Sequence, residues 1–246
     1  MESSTQVTKN LITEEESLSN ISRYLMLHGS FTRNLGLMNG KMGIVLFFYH
    51  YSRYSRNPLY SKFAGEMLDE IYDEIDSAYP YNFSDGLSGI AWSMVYLIRN
   101  GFVSTDDEQD FLSDLDAKVM EWDVRHLHNT SLETGILGLG HYILSRYNPK
   151  ERLFYLPSDY IRDYFEVAQQ NNLYEINQIM FEIESGQLTH KEYLNNLMVN
   201  SKKPERSILV NGEAGRGLNI MLRGGINVEK NKKKTIIESV KKNEKN

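Results

Sequence analysis

The chain contains no cysteine. A disulfide, a thiolate nucleophile and a sulfur-ligated zinc centre are therefore excluded from within it. Proline is scarce, with 5 in 246 residues, so few positions force a helix to stop. Long apolar runs are also missing. The longest, residues 43–49, falls far short of the roughly 20 residues that cross a bilayer as a helix. Positive charge is in deficit: the formal net charge is −6, which gives nucleic-acid binding no global support. The deficit is uneven, because residues 229–246 carry seven Lys against three Glu and leave the remainder at −10. The opening stretch, MESSTQVTKNLITEEE, has neither a basic n-region nor an apolar h-region, so a cytoplasmic protein is expected.

What is present is a repeated G-x-x-G signature, each copy opening an apolar stretch. It reads NGKMGIVLFFY at 39–49, DGLSGIAWSMVYL at 85–97, TGILGLGHYIL at 134–144 and NGEAGRGLNIML at 211–222. The paired glycines are Gly40 and Gly43, Gly86 and Gly89, Gly135 and Gly138, and Gly212 and Gly215. Successive first glycines are 46, 49 and 77 residues apart. A repeat of that length is one supersecondary unit that buries its apolar face only against its neighbours.

Helical signals fill the rest. Thr13 with Glu16, Thr105 with Glu108 and Thr189 with Glu192 have capping-box spacing. Asn57-Pro58 reads as an N-cap followed by a first-turn proline. Residues 58–77 and 106–122 alternate apolar and acidic positions at helical spacing, and 158–170 and 172–184 read as further helices. No run alternates convincingly at period two. Helices with one charged face thus alternate with helices apolar nearly all round, such as 43–54 and 89–99. An all-round apolar helix is buried and an amphipathic one has a wet face. The fold class expected is all-α: inner helices wrapped by outer ones in an α/α toroid of hairpins, or an α-solenoid with the same division. Glycine at each inner-helix start permits close packing or positive φ. Gathered helix N-termini would alternatively offer N–H groups to an anion; tight packing is the preferred reading.

DGLSGIAWSMVYL and NGKMGIVLFFYHY resemble the lanthionine synthetase C-like family, well over 36–147 and weakly over 207–222. The resemblance implies a toroid with seven inner helices, of which this chain shows an incomplete set. It implies a peptide-modification pathway of the lanthipeptide type. The cyclases of that family hold zinc with two Cys and one His, and the metal activates a peptide thiol that adds to a dehydrated residue. The thioether chemistry suits a metal that lowers a thiol's pKa. This chain departs from the pattern. It has no Cys, no His-Gly within its repeats, and Asn82 where the cyclases carry an acid; an amide cannot do carboxylate work. The fold and the setting are carried over, and no zinc or other cofactor is. Expected partners are a peptide substrate or leader peptide and a modification-enzyme or transporter complex, with no nucleic acid and no membrane span.

Candidate site residues follow from position. Asp85 and Glu133 lie just before successive signatures and would face one mouth, as paired carboxylates or as N-terminal caps. His141 sits on an apolar inner helix, and His126 with His128 is the only close histidine pair. Tyr81, Asn82 and Phe83 would line a peptide groove. Arg216, with Arg206 and Arg223, would hold an acidic leader. The organisation expected is an N-terminal helical segment over 1–35, the toroid over 36–228 and a disordered Lys-rich tail over 229–246. Whether the protein is an enzyme is left open, with zinc-dependent cyclisation disfavoured. The alternative is a toroid enzyme, such as a glycan hydrolase, using carboxylates in the central cleft.

Overall fold

In the computed structural model the described residues are 2–76, 78–198 and 212–222, with side chains from residue 13 onward. The helices are α1 (Glu2–His28), α2 (Lys41–Ser55), α3 (Pro58–Glu74), α4 (Leu87–Arg99), α5 (Glu108–Met120), α6 (Ile136–Ser145), α7 (Ser158–Gln170), α8 (Glu175–Glu184) and α9 (His190–Met198). An additional helix, α10, spans 212–222. Between α6 and α7, strands β1 (Tyr147–Asn148) and β2 (Leu153–Phe154) pair antiparallel.

The apolar repeats form the inner layer. In α2, residues 41–49 are buried without a break, and in α4 so are residues 87–97. A helix buried on all sides keeps a charge only where partners meet it, as Glu70 and Glu74 of α3 meet Lys41, which is why its sequence shows no amphipathic stripe. Helices α3, α5 and α7 form the outer layer. Only Ala64, Met67, Leu68 and Ile71 of α3 are buried, at the spacing of one helix face. The hairpin pairs α2–α3, α4–α5 and α6–α7 pack together, and the inner helices α2, α4, α6 and α8 succeed one another as neighbours. α10 packs on the near end of the array: a Cβ on Gly217 would strike the Phe47 ring of α2 and approach Ile21 of α1. Leu218 and Met221 of α10 are buried. The architecture is the expected all-α toroid of hairpins.

Several helix ends differ from the sequence expectation. α1 runs unbroken through Thr13, so Thr13 and Glu16 do not start a helix. At α5 the N-cap is Asp107, whose carboxylate accepts the Gln109 and Asp110 N–H groups, while Thr105 donates to the Asp107 carbonyl. Aspartate caps better because its charge also meets the helix dipole. The capping box at Thr189 and Glu192 forms in full: the Thr hydroxyl accepts the Glu192 N–H and the Glu carboxylate accepts the Thr189 N–H. Asn57 caps α3 as expected, accepting from Leu59 N–H. The helix expected from 172 begins instead at Glu175, because Asn172 takes a positive φ of 56° and ends the preceding turn; Asn tolerates that conformation.

Candidate functional site

Each of the first three glycine signatures is preceded by a six-residue loop that folds back over the helix it introduces. The first helical N–H donates to the carbonyl six residues before the glycine: Lys41 to Asn34, Leu87 to Pro80 and Ile136 to Asn129, at 2.8, 2.7 and 2.8 Å. The next N–H is likewise met in two of them, Met42 to Leu35 and Ser88 to Tyr81. The loop carbonyls lie so close that a side chain on Gly40, Gly86 or Gly135 would collide with backbone. Gly89 and Gly138 are fixed the same way, against the carbonyls of Phe83 and Leu132. These glycines serve close approach, since Gly40, Gly86 and Gly135 all have negative φ. Their helix starts have N–H donors occupied by carbonyls, which corrects the alternative that these ends present free donors to an anion. Gly212 differs: its φ is +83° and nothing lies within 4 Å of its Cβ position.

The loops are also joined to one another. Met38, Ser84 and Glu133 occupy the same place in their repeats, two residues before the first glycine. Met38 N–H donates to the Ser84 carbonyl and Ser84 N–H to the Glu133 carbonyl, both at 2.8 Å. Asp85 adds a side-chain tie. Its carboxylate accepts from the Asn34 and Asn39 amides at 2.8 and 3.1 Å and from the Ser84 hydroxyl at 2.9 Å. The Tyr81 hydroxyl donates to the Thr134 carbonyl at 3.0 Å. The inner-helix N-termini thus meet at one end of the barrel as a single hydrogen-bonded mouth.

The candidate residues take distinct places there. Asp85 is half-buried and committed to the ties above, and Glu133 is exposed. Asn82 accepts the Asp85 N–H and so shapes its own loop. Phe83 is wholly buried between Trp92 and His141, which corrects its expected place in a groove. Tyr81 stays half-exposed and packs on Trp122, with ring centroids 4.8 Å apart. His141 is buried, with Nδ1 2.9 Å from the Tyr193 hydroxyl on α9. His126 and His128 are exposed on the loop after α5. Arg216 pairs with Glu213 one helical turn away. Arg206, Arg223 and the Lys-rich tail lie outside the described residues.

The opposite end of the inner helices holds a polar cluster that motif reading missed. Arg146, with no exposed surface, donates from Nη2 to Asp116 at 2.8 Å, from Nε to both Asp116 oxygens, and from Nη1 to Glu108. The Tyr142 hydroxyl donates to the same Asp116. Burial pushes the Asp116 carboxyl up, and Arg146 pulls against it. Glu108 also accepts from Arg99, which donates to Nδ1 of His190. Nε2 of His190 therefore carries the proton and donates to the Leu144 carbonyl at 2.9 Å. Burial and Arg99 push the His190 pKa down to about 4. The signal available in the sequence was an Arg closing two inner helices, Arg99 and Arg146, but their partners come from α5 and α9. The cluster locks α4, α5, α6 and α9, with Arg146 and Asp116 enclosed and Arg99 and Glu108 partly exposed at its edge.

Alternating buried and amphipathic helices, with a glycine-loop mouth at one end, define a toroid of α-hairpins built by repetition. A family model described as lanthionine synthetase C-like protein matches residues 32–196. That is well over half of the chain, which belongs to this family. No curated protein and no solved structure matches it significantly. The zinc implied by the family does not fit the donors here. The sequence has no thiolate, and among the described residues no three His, Asp or Glu side chains are grouped so as to hold a metal ion. Among those residues, too, no helix is long and apolar enough to cross a membrane.

Proposed function

We propose that this protein is a cytoplasmic component of a lanthipeptide-type modification pathway that binds a peptide and does not itself perform zinc-dependent cyclisation. One observation carries the reading: the mouth is intact in its backbone while the donors for thiol activation are absent from the sequence. Forming a thioether at neutral pH calls for a deprotonated peptide thiol, and the family's device for that is the metal. Asp85 does not substitute, because its oxygens are engaged in holding the loops. What remains at the mouth is a rigid, partly aromatic rim, suited to contact with a chain in an extended conformation. Its partner in the pathway would be the precursor peptide, presented with or without a modification enzyme or transporter.

The test is calorimetric titration of the full chain with the precursor peptide encoded beside its gene. Saturable binding at micromolar concentration is expected. Incubation with the dehydrated precursor and added zinc is expected to leave the peptide's thiols free. Absence of binding to the intact precursor, or rapid loss of thiols, overturns the reading.

A further inference from the structure

Two tryptophans are present, and they are used oppositely. Trp92 is fully buried in the inner layer, whereas Trp122, just after α5, is 38% exposed. Trp122 leans on Tyr81, which is itself fixed by its hydroxyl bond to Thr134 in the third loop. The pair thus forms a stiff aromatic ledge on the rim, spanning the second and third loops. The nearby basic groups are engaged: Lys118, one turn before Trp122, donates to the Ile75 carbonyl at 3.1 Å. Glu121 adjoins Trp122 in the chain, and Glu133 adjoins Thr134; both are exposed, and neither makes an ion pair among the described residues. The basic residue closest in sequence, Arg125, is already paired with Asp123 at 2.8 Å.

We infer that the Tyr81–Trp122 ledge receives a Lys or Arg side chain of a bound peptide. This deepens the peptide-binding reading above and rests on it. A cation over a Trp face gains from the ring quadrupole, and the exposed carboxylates Glu121 and Glu133, neighbours in sequence of Trp122 and Thr134, add longer-range attraction. Charge complementarity selects the occupant: an acidic peptide would meet Glu121 and Glu133 without compensation. The recognised segment is therefore basic, in contrast to the acidic leader expected from the arginines around the fourth signature.

The experiment titrates the full chain with acetyl-tetralysine amide and, separately, acetyl-tetraglutamate amide, following Trp fluorescence and heat. Tetralysine is expected to give a saturable change and tetraglutamate none. Trp122→Leu, at an exposed position, is expected to keep the helical circular dichroism of the parent, to abolish the fluorescence change and to weaken tetralysine binding about fivefold. Glu133→Gln is expected to weaken it about twofold to threefold. Equal response to both peptides, no saturable response, or unchanged affinity in Trp122→Leu overturns the inference. The precursor peptide is titrated in parallel. Precursor bound equally by the parent and Trp122→Leu removes the ledge and leaves peptide binding standing. Tetralysine bound at the ledge with the precursor ignored removes the pathway reading alone.

Discussion

At the scale of single residues, the glycines separate into those that touch backbone and those that do not. A Cβ at Gly138 meets the Leu132 carbonyl and the Phe83 side chain, neither able to retreat. Gly138→Ala is expected to cost about 2–3 kcal/mol, as overpacking a well-filled site does. Gly65, in the middle of α3, has only the Tyr49 hydroxyl at 3.7 Å from its Cβ position. Gly65→Ala is expected to stabilise by about 0.5–1 kcal/mol through helix propensity. Urea unfolding of the two variants reads both signs, and a neutral Gly138→Ala would refute the packing account. Residue roles were the least legible part of the sequence. Asp85 was visible as a carboxylate beside a glycine, but its partners Asn34 and Asn39 lie 51 and 46 residues away, beyond any local pattern. Phe83 was misplaced because an aromatic beside a loop looks like a rim residue until the facing helices are known.

Among elements, α9 is held by a histidine kept neutral. His190 has a pKa near 4 when folded against an ordinary value of 6.5. Between those values the unfolded chain binds a proton that the folded chain refuses, so stability rises with pH and falls on acidification. His50, pushed down to about 3 by burial, acts in the same direction. Each contributes a slope of about 1.4 kcal/mol per pH unit as pH drops from 6.5 toward its folded pKa. Denaturation midpoints are expected to decline steadily from pH 7 to pH 5, and His190→Gln to decline less steeply. Equal slopes in parent and variant would exclude His190 as the group responsible. Elements themselves were legible where one mechanism dominated. Alternation of amphipathic and all-apolar stretches gave the layers, because burial sets both. Helix starts were read less well where two candidates competed. Asp107 displaced Thr105, and Thr13 lost to continuation of α1 because polar residues capable of capping also occur within helices.

For the whole molecule, the family explains the architecture and the missing sulfur constrains the chemistry. Protein purified without an affinity tag and dialysed is expected to hold far less than one equivalent of zinc by elemental analysis. Stoichiometric retention would mean that histidines and carboxylates assemble a site, and cyclisation would return as the leading activity. The overall toroid was readable from glycine spacing, since each signature demands a neighbour. The cluster around Arg146 was not, because it joins residues of α4, α5, α6 and α9, whose order in space no single segment encodes.

The seating of α10 against α1 and α2 bears on how the molecule comes apart. In an open array of hairpins the terminal unit lacks one neighbour, frays first and lets unfolding travel inward. Here the last described helix lies against the first two, with Gly217 facing Phe47 of α2 and Ile21 of α1, so the N-terminal end of the array has a neighbour on its outer side. Fraying from that end is then suppressed, and amide protons of α2 should exchange no faster than those of α4 at the middle of the array.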